Sequence, residues 1–430
     1  MRILIISYYF PPFNSIGSLR PAKLAEYWLM QGHDVRVISA EKQPLPSSLS
    51  SSFPKARTEY TAWLNVNALP ELVLGGRKKV ADAGFSCGGS LLNRLGKLYK
   101  TLFNFPDGQI GWYPYAISSG FMLIKQGWKP DLIYASAYPA TSLLVARRLA
   151  SAADVPWVVE YRDLWTDSPY YQFPGWRRWI EAKLERLVLS TASAVVTVSE
   201  PLAETLRGKV SVPVAAILNG FDPADYTAPR SKLYPDNKLN IVYTGMIYKG
   251  KRDPEPLFSA MTHLKNPDHL HVYFYGRYLQ EVKQLAEKYG VSHLVSVSEA
   301  VSHKEAVQIQ IESDILLLLL WDDVRERGVY TGKLFEYFGA RHPILVIGAT
   351  EGAAAKLVTH RQAGVASNDP EEIALQLEKW IDLKLNHKQE FMLPESVSFG
   401  LSRVDQFSEL DQFLIKNKLL RTARDLPGSL

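Results

Sequence analysis

"RILIISYYFPPFNSIGSLRPAKLAEYWLMQGHDVRVIS", residues 2–39, sets an apolar run, a stretch of helical spacing and a second apolar run in series. "RILIIS" (2–7) and "DVRVIS" (34–39) have the length of strands, and the segment from Gly17 to about Gln31 has the periodicity of a helix. Strand, helix, strand is the unit of a parallel sheet, because parallel neighbours need a crossover of roughly a dozen residues or more. The same beat returns in "DLIYAS" (131–136), "PWVVEY" (156–161), "SAVVTVS" (193–199) and "PVAAIL" (213–218), with helices predicted at 140–152, 175–190 and 201–207. A first α/β domain over 1–220 follows, with 40–130 its least regular part.

"NGFDPADYTAPRSKLYPDNK" (219–238) holds three prolines and few aliphatic residues, which predicts an interdomain linker over 221–238. The pattern restarts in "LNIVYTG" (239–245), "LHVYFYG" (270–276), "LVSVS" (294–298), "DILLLLL" (314–320) and "PILVIG" (343–348), a second α/β domain over 239–399. Two Rossmann-like sheets in series imply a cleft between them. Such sheets bind ligands outside the carboxyl ends of their strands, so residues just past each strand are the candidates.

Composition narrows the partners. With 47% hydrophobic and 22% charged residues over 430 positions, the chain is an ordinary globular protein rather than a disordered one. Its 49 basic residues against 44 acidic ones leave a mild excess, suited to an anionic ligand or an anionic membrane surface. No basic stripe of the kind that tracks nucleic acid is present. Cys87 is the one cysteine, so no intrachain disulfide can form and a reducing compartment is expected. The first apolar run is too brief for a signal peptide, and "DILLLLLW" (314–321) falls short of the ~20 residues of a membrane span. A cytosolic or peripherally attached protein is expected. "LLNRLGKLYKTLFNF" (91–105) and "GWRRWIEAKLERLVL" (175–189) mix basic with leucine, phenylalanine or tryptophan residues, a pattern that fits either a membrane interface or ordinary packed surface helices.

Familiar motifs fail. "TGKLFEY" (331–337) lacks the P-loop glycine five residues before Gly332, where Arg327 stands, and has Leu334 where that loop needs Ser or Thr. No G-x-G-x-x-G follows the first strand, and no H-E-x-x-H, paired cysteine motif or Asp-x-Asp occurs. A bound diphosphate would therefore have to be neutralised by protein groups, and no metal is expected.

Four features remain past strand ends. Gly17 stands at a helix start where backbone N–H groups can approach an anion, with Arg20 on the protein surface as the plainer alternative. "YTGMIYKGKRDP" (243–254) presents Lys249, Lys251 and Arg252 on a turn. Thr331, Gly332 and Lys333 open another helix, with Glu336 one turn further in, where a carboxylate can accept hydrogen bonds from vicinal hydroxyls. The alternative for Glu336 is an ion pair with Arg341. "EYRDLWTDS" (160–168) runs a strand into Arg162, Asp163 and Asp167, which face the cleft or else bridge one another. The nine histidines suit surface or structural positions.

Together with "AVVTVSEPLAETL" (194–206), "ILNGFDPADY" (217–226) and "GVYTGKLFEYFGARHPIL" (328–345), these segments resemble retaining glycosyltransferase family 4, in the branch that builds bacterial surface polysaccharides. The resemblance implies a GT-B fold, two Rossmann-like domains across a cleft, with a helix of 400–430 crossing back to the first domain. It also implies transfer of a sugar from a nucleoside diphosphate to an acceptor hydroxyl, on a glycan or lipid carrier, with retention and without a metal. It maps Gly17 onto the loop that meets the donor, Lys251 and Arg252 onto the diphosphate site, Glu336 onto the ribose-binding glutamate, and Val301 onto the main chain that holds the base. Asp163, beside Arg162, falls to orienting the acceptor. Met246 and Gly328 stand where the family has Arg and the first Glu of its E-x7-E motif, so neutralisation shifts to Lys251, Arg252 and Lys333, and Glu326 is the nearest substitute. A sugar-nucleotide epimerase of the same fold, or a silent binding subunit, are the alternatives.

Overall fold

The computed structural model describes residues 1–68, 91–227, 231–247 and 250–421. Cys87 and Lys249 lie outside them. The chain divides into two compact units, one made of Met1–Ile217 with the segment from Phe407 onward, the other of Leu218–Gln406.

In the first unit, strands β1 (Arg2–Ser7), β2 (Asp34–Ala40), β3 (Thr58–Thr61), β4 (Leu132–Ala137), β5 (Trp157–Tyr161), β6 (Ala194–Thr197) and β7 (Val214–Ala216) form one sheet in the order β3-β2-β1-β4-β5-β6-β7. Every pairing is parallel. β1 shows why its sequence is a continuous apolar run: Leu4 and Ile6 enter the core on one face while Ile3 and Ile5 enter the core on the other. A sheet covered by helices on both sides leaves no position for a polar alternation. The helix Arg403–Lys416 contributes Phe407, Leu410 and Leu414 to one of these cores, and Trp28 Nε1 donates to Asp411 Oδ1 at 2.8 Å.

The second unit repeats the plan with β8 (Leu239–Thr244), β9 (Leu270–Gly276), β10 (Val295–Glu299), β11 (Ile315–Leu319), β12 (Ile344–Ile347) and β13 (Gly364–Ala366). Their order is β10-β9-β8-β11-β12-β13, again parallel throughout. Described residues of the stretch read as a linker pack on this unit: Tyr226 donates its hydroxyl to the Glu336 carbonyl at 2.9 Å, and the Lys232 amide donates to Glu312 Oε2 at 2.9 Å.

Strand order reverses between β1 and β4 in one sheet and between β8 and β11 in the other. At such a point adjacent loops diverge to opposite faces and open a crevice. The order of strands thus selects, in each unit, two loops from all those at the carboxyl edge.

Candidate active site

In the second unit, the loop after β8 begins at Gly245 and the segment after β11 leads through Trp321 to the helix Gly332–Ala340. Thr331 is that helix's N-cap, but its Oγ1 is buried and makes no hydrogen bond among the described residues. Threonine at this position ordinarily satisfies one of the free amides of the first turn. Here the hydroxyl is left for another partner, while the Leu334 amide of the first turn already bonds the Thr331 carbonyl at 3.1 Å.

Lys333 lies in that first turn. Its Nζ is buried and has no hydrogen-bond partner among the described residues, 4.0 Å from the centre of the Tyr243 ring. It fits only because residue 245 is glycine: a Cβ there would come within 2.1 Å of Nζ, and Gly245 adopts φ +140 besides. Burial first and the charge of Arg252 second, only partly opposed by Glu336, together lower the Lys333 pKa to about 7. Arg252 Nη1 reaches the Met246 carbonyl at 3.4 Å, a carbonyl that also accepts the Tyr243 hydroxyl at 2.8 Å. The main chain of Met246 therefore holds the guanidinium near Lys333, where the family resemblance expects an arginine at 246 itself. Two cations crowded at a helix N-terminus form a site for an anion.

Lys251 is more exposed. Its Nζ stands 4.3 Å over the Trp321 ring, whose surroundings also include the Arg325 guanidinium at 4.8 Å. Arg325 is tied to Asp323 by bonds of 2.8 and 2.5 Å. A recess of 400 Å³ beside them is lined by Lys251, Trp321, Gly348 and Asn368.

Glu336 follows one turn after Lys333. It is not matched by Arg341, which pairs with Glu395 at 3.3 Å. Instead Gln310 Nε2 donates to Glu336 Oε2 at 3.0 Å and to Thr244 Oγ1 at 3.0 Å, while His303 Nδ1 lies 3.9 Å from Oε1. His303 Nε2 is 3.1 Å from Asp225, and that hydrogen bond, with the charge of Glu336, raises the imidazole pKa. The Glu336 side chain is 29% exposed, so its partners orient it without enclosing it. Val301 is 36% exposed and lies just before the capping box of Ser302 and Glu305 that starts the helix His303–Glu312. Glu326 closes the short turn Val324–Glu326, and its carbonyl accepts the Val329 amide at 2.9 Å.

The first unit differs from expectation at three positions. The Gly17 amide is taken by its own N-cap, Ser15 Oγ, at 3.2 Å, and the space over Gly17 is filled by Arg162: a Cβ there would come within 2.2 Å of Nη1. The glycine admits a guanidinium rather than offering a bare amide. Arg162 is fixed by the carbonyls of Ala137 at 3.3 Å and Tyr138 at 2.6 Å, at the end of β4 and so at the reversal point. Asp163 keeps an accessible edge, yet desolvation by surrounding protein raises its pKa against the opposing pull of Arg162. Arg20 is not on the surface but buried, its Nε 2.7 Å from Glu160 Oε1. Glu160 also accepts from Tyr134 and Ser136, so removing one partner would strand a buried charge at a cost of about 3–5 kcal/mol. Asp167 is bound to Lys209 at 2.5 Å and Arg178 at 3.6 Å, which makes it part of the scaffold.

His303, Gln310, Tyr226 and Trp321 are site residues that sequence reasoning missed. Trp321 directly follows the strand predicted at 314–320, whereas His303, Gln310 and Tyr226 follow no strand and are placed only through the residues they touch. Among the described residues no group of three His, Cys, Asp or Glu side chains is placed to hold a metal ion.

Residues 19–220 match the family described as Glycosyl transferase 4-like domain. A comparison with curated proteins finds no match. Among solved structures, HepE of Anabaena in complex with UDP aligns over 96% of this chain and 99% of its own, with a TM-score of 0.60 at 14% identity. Sucrose-phosphate synthase from Thermosynechococcus elongatus aligns over 97% of this chain and 98% of its own, with a TM-score of 0.62 at 14% identity. The lipopolysaccharide outer core galactosyltransferase WaaB, in its apo form, aligns over 97% of this chain and 99% of its own, with a TM-score of 0.58 at 10% identity. The two parallel sheets thus follow the GT-B fold.

Proposed function

We propose that this chain is a glycosyltransferase that moves a sugar from a nucleoside diphosphate to an acceptor hydroxyl. The observation that carries the reading is the buried Lys333 ammonium, without a hydrogen-bond partner among the described residues, beside Arg252 at the start of the helix Gly332–Ala340. Breaking the glycosidic bond leaves charge on the departing diphosphate, and cations fixed in advance stabilise that charge most at the transition state. Lys333, Arg252, Lys251 and the first-turn amides after Thr331 take this task, with Gly332 leaving the helix start open to the phosphates. The base lies against the main chain near Val301 and the ribose hydroxyls bond to Glu336. The family match over the first unit and the UDP bound by HepE support the reading.

The finer terms are part of the same proposal. The acceptor is a growing or lipid-linked surface glycan, oriented by Asp163 with Arg162, and the anomeric configuration is retained. Because protein cations meet the diphosphate charge, transfer proceeds without a divalent metal, and EDTA should leave the initial rate unchanged within about twofold. A rate restored only by added Mg2+ or Mn2+ would remove this part.

The ribose assignment has its own test. Hydrogen bonds to a charged acceptor contribute about 1.5–3 kcal/mol each, so Glu336→Ala should weaken UDP binding at least about tenfold by calorimetry. The wild type should also discriminate against 3′-deoxy-UDP, and the variant should not. Equal discrimination by both proteins would place the ribose elsewhere. Incubating nucleotide sugars with and without acceptor separates transfer from epimerisation, since only an epimerase releases an altered sugar without one.

A further inference from the structure

The helices Leu91–Phe103 and Gly175–Leu189 of the first unit are bound to each other through one buried side chain. The Arg177 guanidinium is 0% exposed; it donates to the carbonyls of Lys100 at 2.9 Å and Thr101 at 2.7 Å, and bonds those of Asn104 and Pro106 beyond the helix end. Glu181 closes the arrangement at 2.6 Å. Carbonyls at a helix C-terminus favour a cation, so this contact ties the end of Leu91–Phe103 to the start of Gly175–Leu189 at the surface of the unit.

That surface has a particular chemistry. On Gly175–Leu189, Trp176, Trp179, Ile180, Lys183 and Leu187 share one stripe at helical spacing, and all are exposed; Trp179 is 61% accessible and carries the Lys183 ammonium 3.5 Å from its ring. Both glutamates of this helix, Glu181 and Glu185, point inward, 1% exposed. On Leu91–Phe103, Leu95, Leu98, Leu102 and Phe103 are each more than half exposed, flanked by exposed Arg94 and Lys97, and the helix contains no acidic residue. Exposed tryptophan, leucine and phenylalanine, interleaved with cations and free of acids, form a face that water solvates poorly and an anionic interface solvates well. Two such stripes, on helices tied to each other through Arg177, present more apolar area than scattered surface residues do.

We infer that this two-helix face docks the protein on an anionic lipid bilayer surface, lying in the headgroup layer. No helix among the described residues is long and apolar enough to cross a membrane, so attachment is to one leaflet. Charge complementarity selects lipid over a second copy of the chain, because copies meeting through this face would bring Arg94, Lys97, Lys183 and Arg186 of each against the other.

Sedimentation of the full chain with phosphatidylglycerol-containing and with pure phosphatidylcholine vesicles tests the inference. Each basic side chain near an anionic surface is worth about fivefold in partition, so Arg94→Glu with Lys183→Glu should cut binding to the anionic vesicles by more than about tenfold. Trp176→Ala with Trp179→Ala should do likewise and should abolish part of the quenching of tryptophan emission by brominated lipid. UDP binding by each variant reports that it is folded. Equal partition into both vesicle types, or variants that bind as the wild type does, would overturn the inference. So would a wild-type dimer in solution that the tryptophan variant dissociates, since the face would then join copies of the chain.

Discussion

Replacing Lys333 with methionine is expected to lower turnover by about a hundredfold or more and, in the same protein, to raise the stability of the unliganded fold. The two effects share one cause. Methionine keeps much of the aliphatic length but removes an ammonium that burial and Arg252 disfavour. A lysine whose folded pKa lies near 7 binds fewer protons than the unfolded chain, whose lysine keeps its ordinary value of 10.5. Unliganded stability should therefore rise with pH from about 7 toward 10.5, by roughly 1 kcal/mol per pH unit over the middle of that window. In the Lys333→Met variant this slope should vanish, as chemical denaturation at pH 7, 8 and 9 can show. Loss of a preorganised charge at the leaving group costs about 10²–10³ in rate in comparable sites. A variant as active as the wild type would show that Lys333 is a burial defect with no function.

Lys251→Ala is expected to reduce transfer by a similar factor, about 10²–10³, for a different structural reason. Lys251 is exposed and held over Trp321, so its loss should leave stability within about 0.5 kcal/mol, as for surface changes in general. The loss should fall mainly on kcat, because a group that meets charge developing on the leaving oxygen acts more on the transition state than on bound donor. Trp321→Leu removes the ring that positions Lys251 and should reproduce part of the defect, about tenfold. Equal loss of kcat and of donor affinity in Lys251→Ala would assign this residue to ground-state binding instead.

Much of this site was legible because parallel sheets put function just past apolar runs. Lys251 lies in the loop after the apolar strand Leu239–Thr244, while Lys333 and Glu336 stand on the helix Gly332–Ala340, which the apolar run Ile315–Leu319 leads to. The short edge strands Thr58–Thr61 and Gly364–Ala366 were not legible, since an edge strand buries less and "TEYT" and "GVA" carry little apolar signal. The helix Tyr113–Lys125 falls in 40–130, the least regular part of the pattern, and starts with a proline in its first turn, where proline is well tolerated.

Side-chain partners were the other illegible part. Periodicity placed Arg20 on a helix but could not show Glu160 waiting 2.7 Å away, because that contact joins residues 140 apart in sequence. It placed Gly17 at a helix start but not the Arg162 guanidinium above it. His303 is at the surface, as one of the positions expected for the histidines, but periodicity could not show that the fold brings it between Asp225 and Glu336. The missing arginine at 246 is a more instructive case. Its main chain, present in any residue type, is what receives Arg252.

Calorimetric titration of UDP from pH 7 to 9, in two buffers of different ionisation enthalpy, tests the diphosphate cradle most directly. Docking of a dianion beside Lys333 should return its pKa toward 10, so binding should take up a proton and affinity should fall by up to about tenfold per pH unit above 7, with Lys333→Arg flattening the dependence. UDP binding that is absent, or present with neither proton uptake nor pH dependence, would contradict the account.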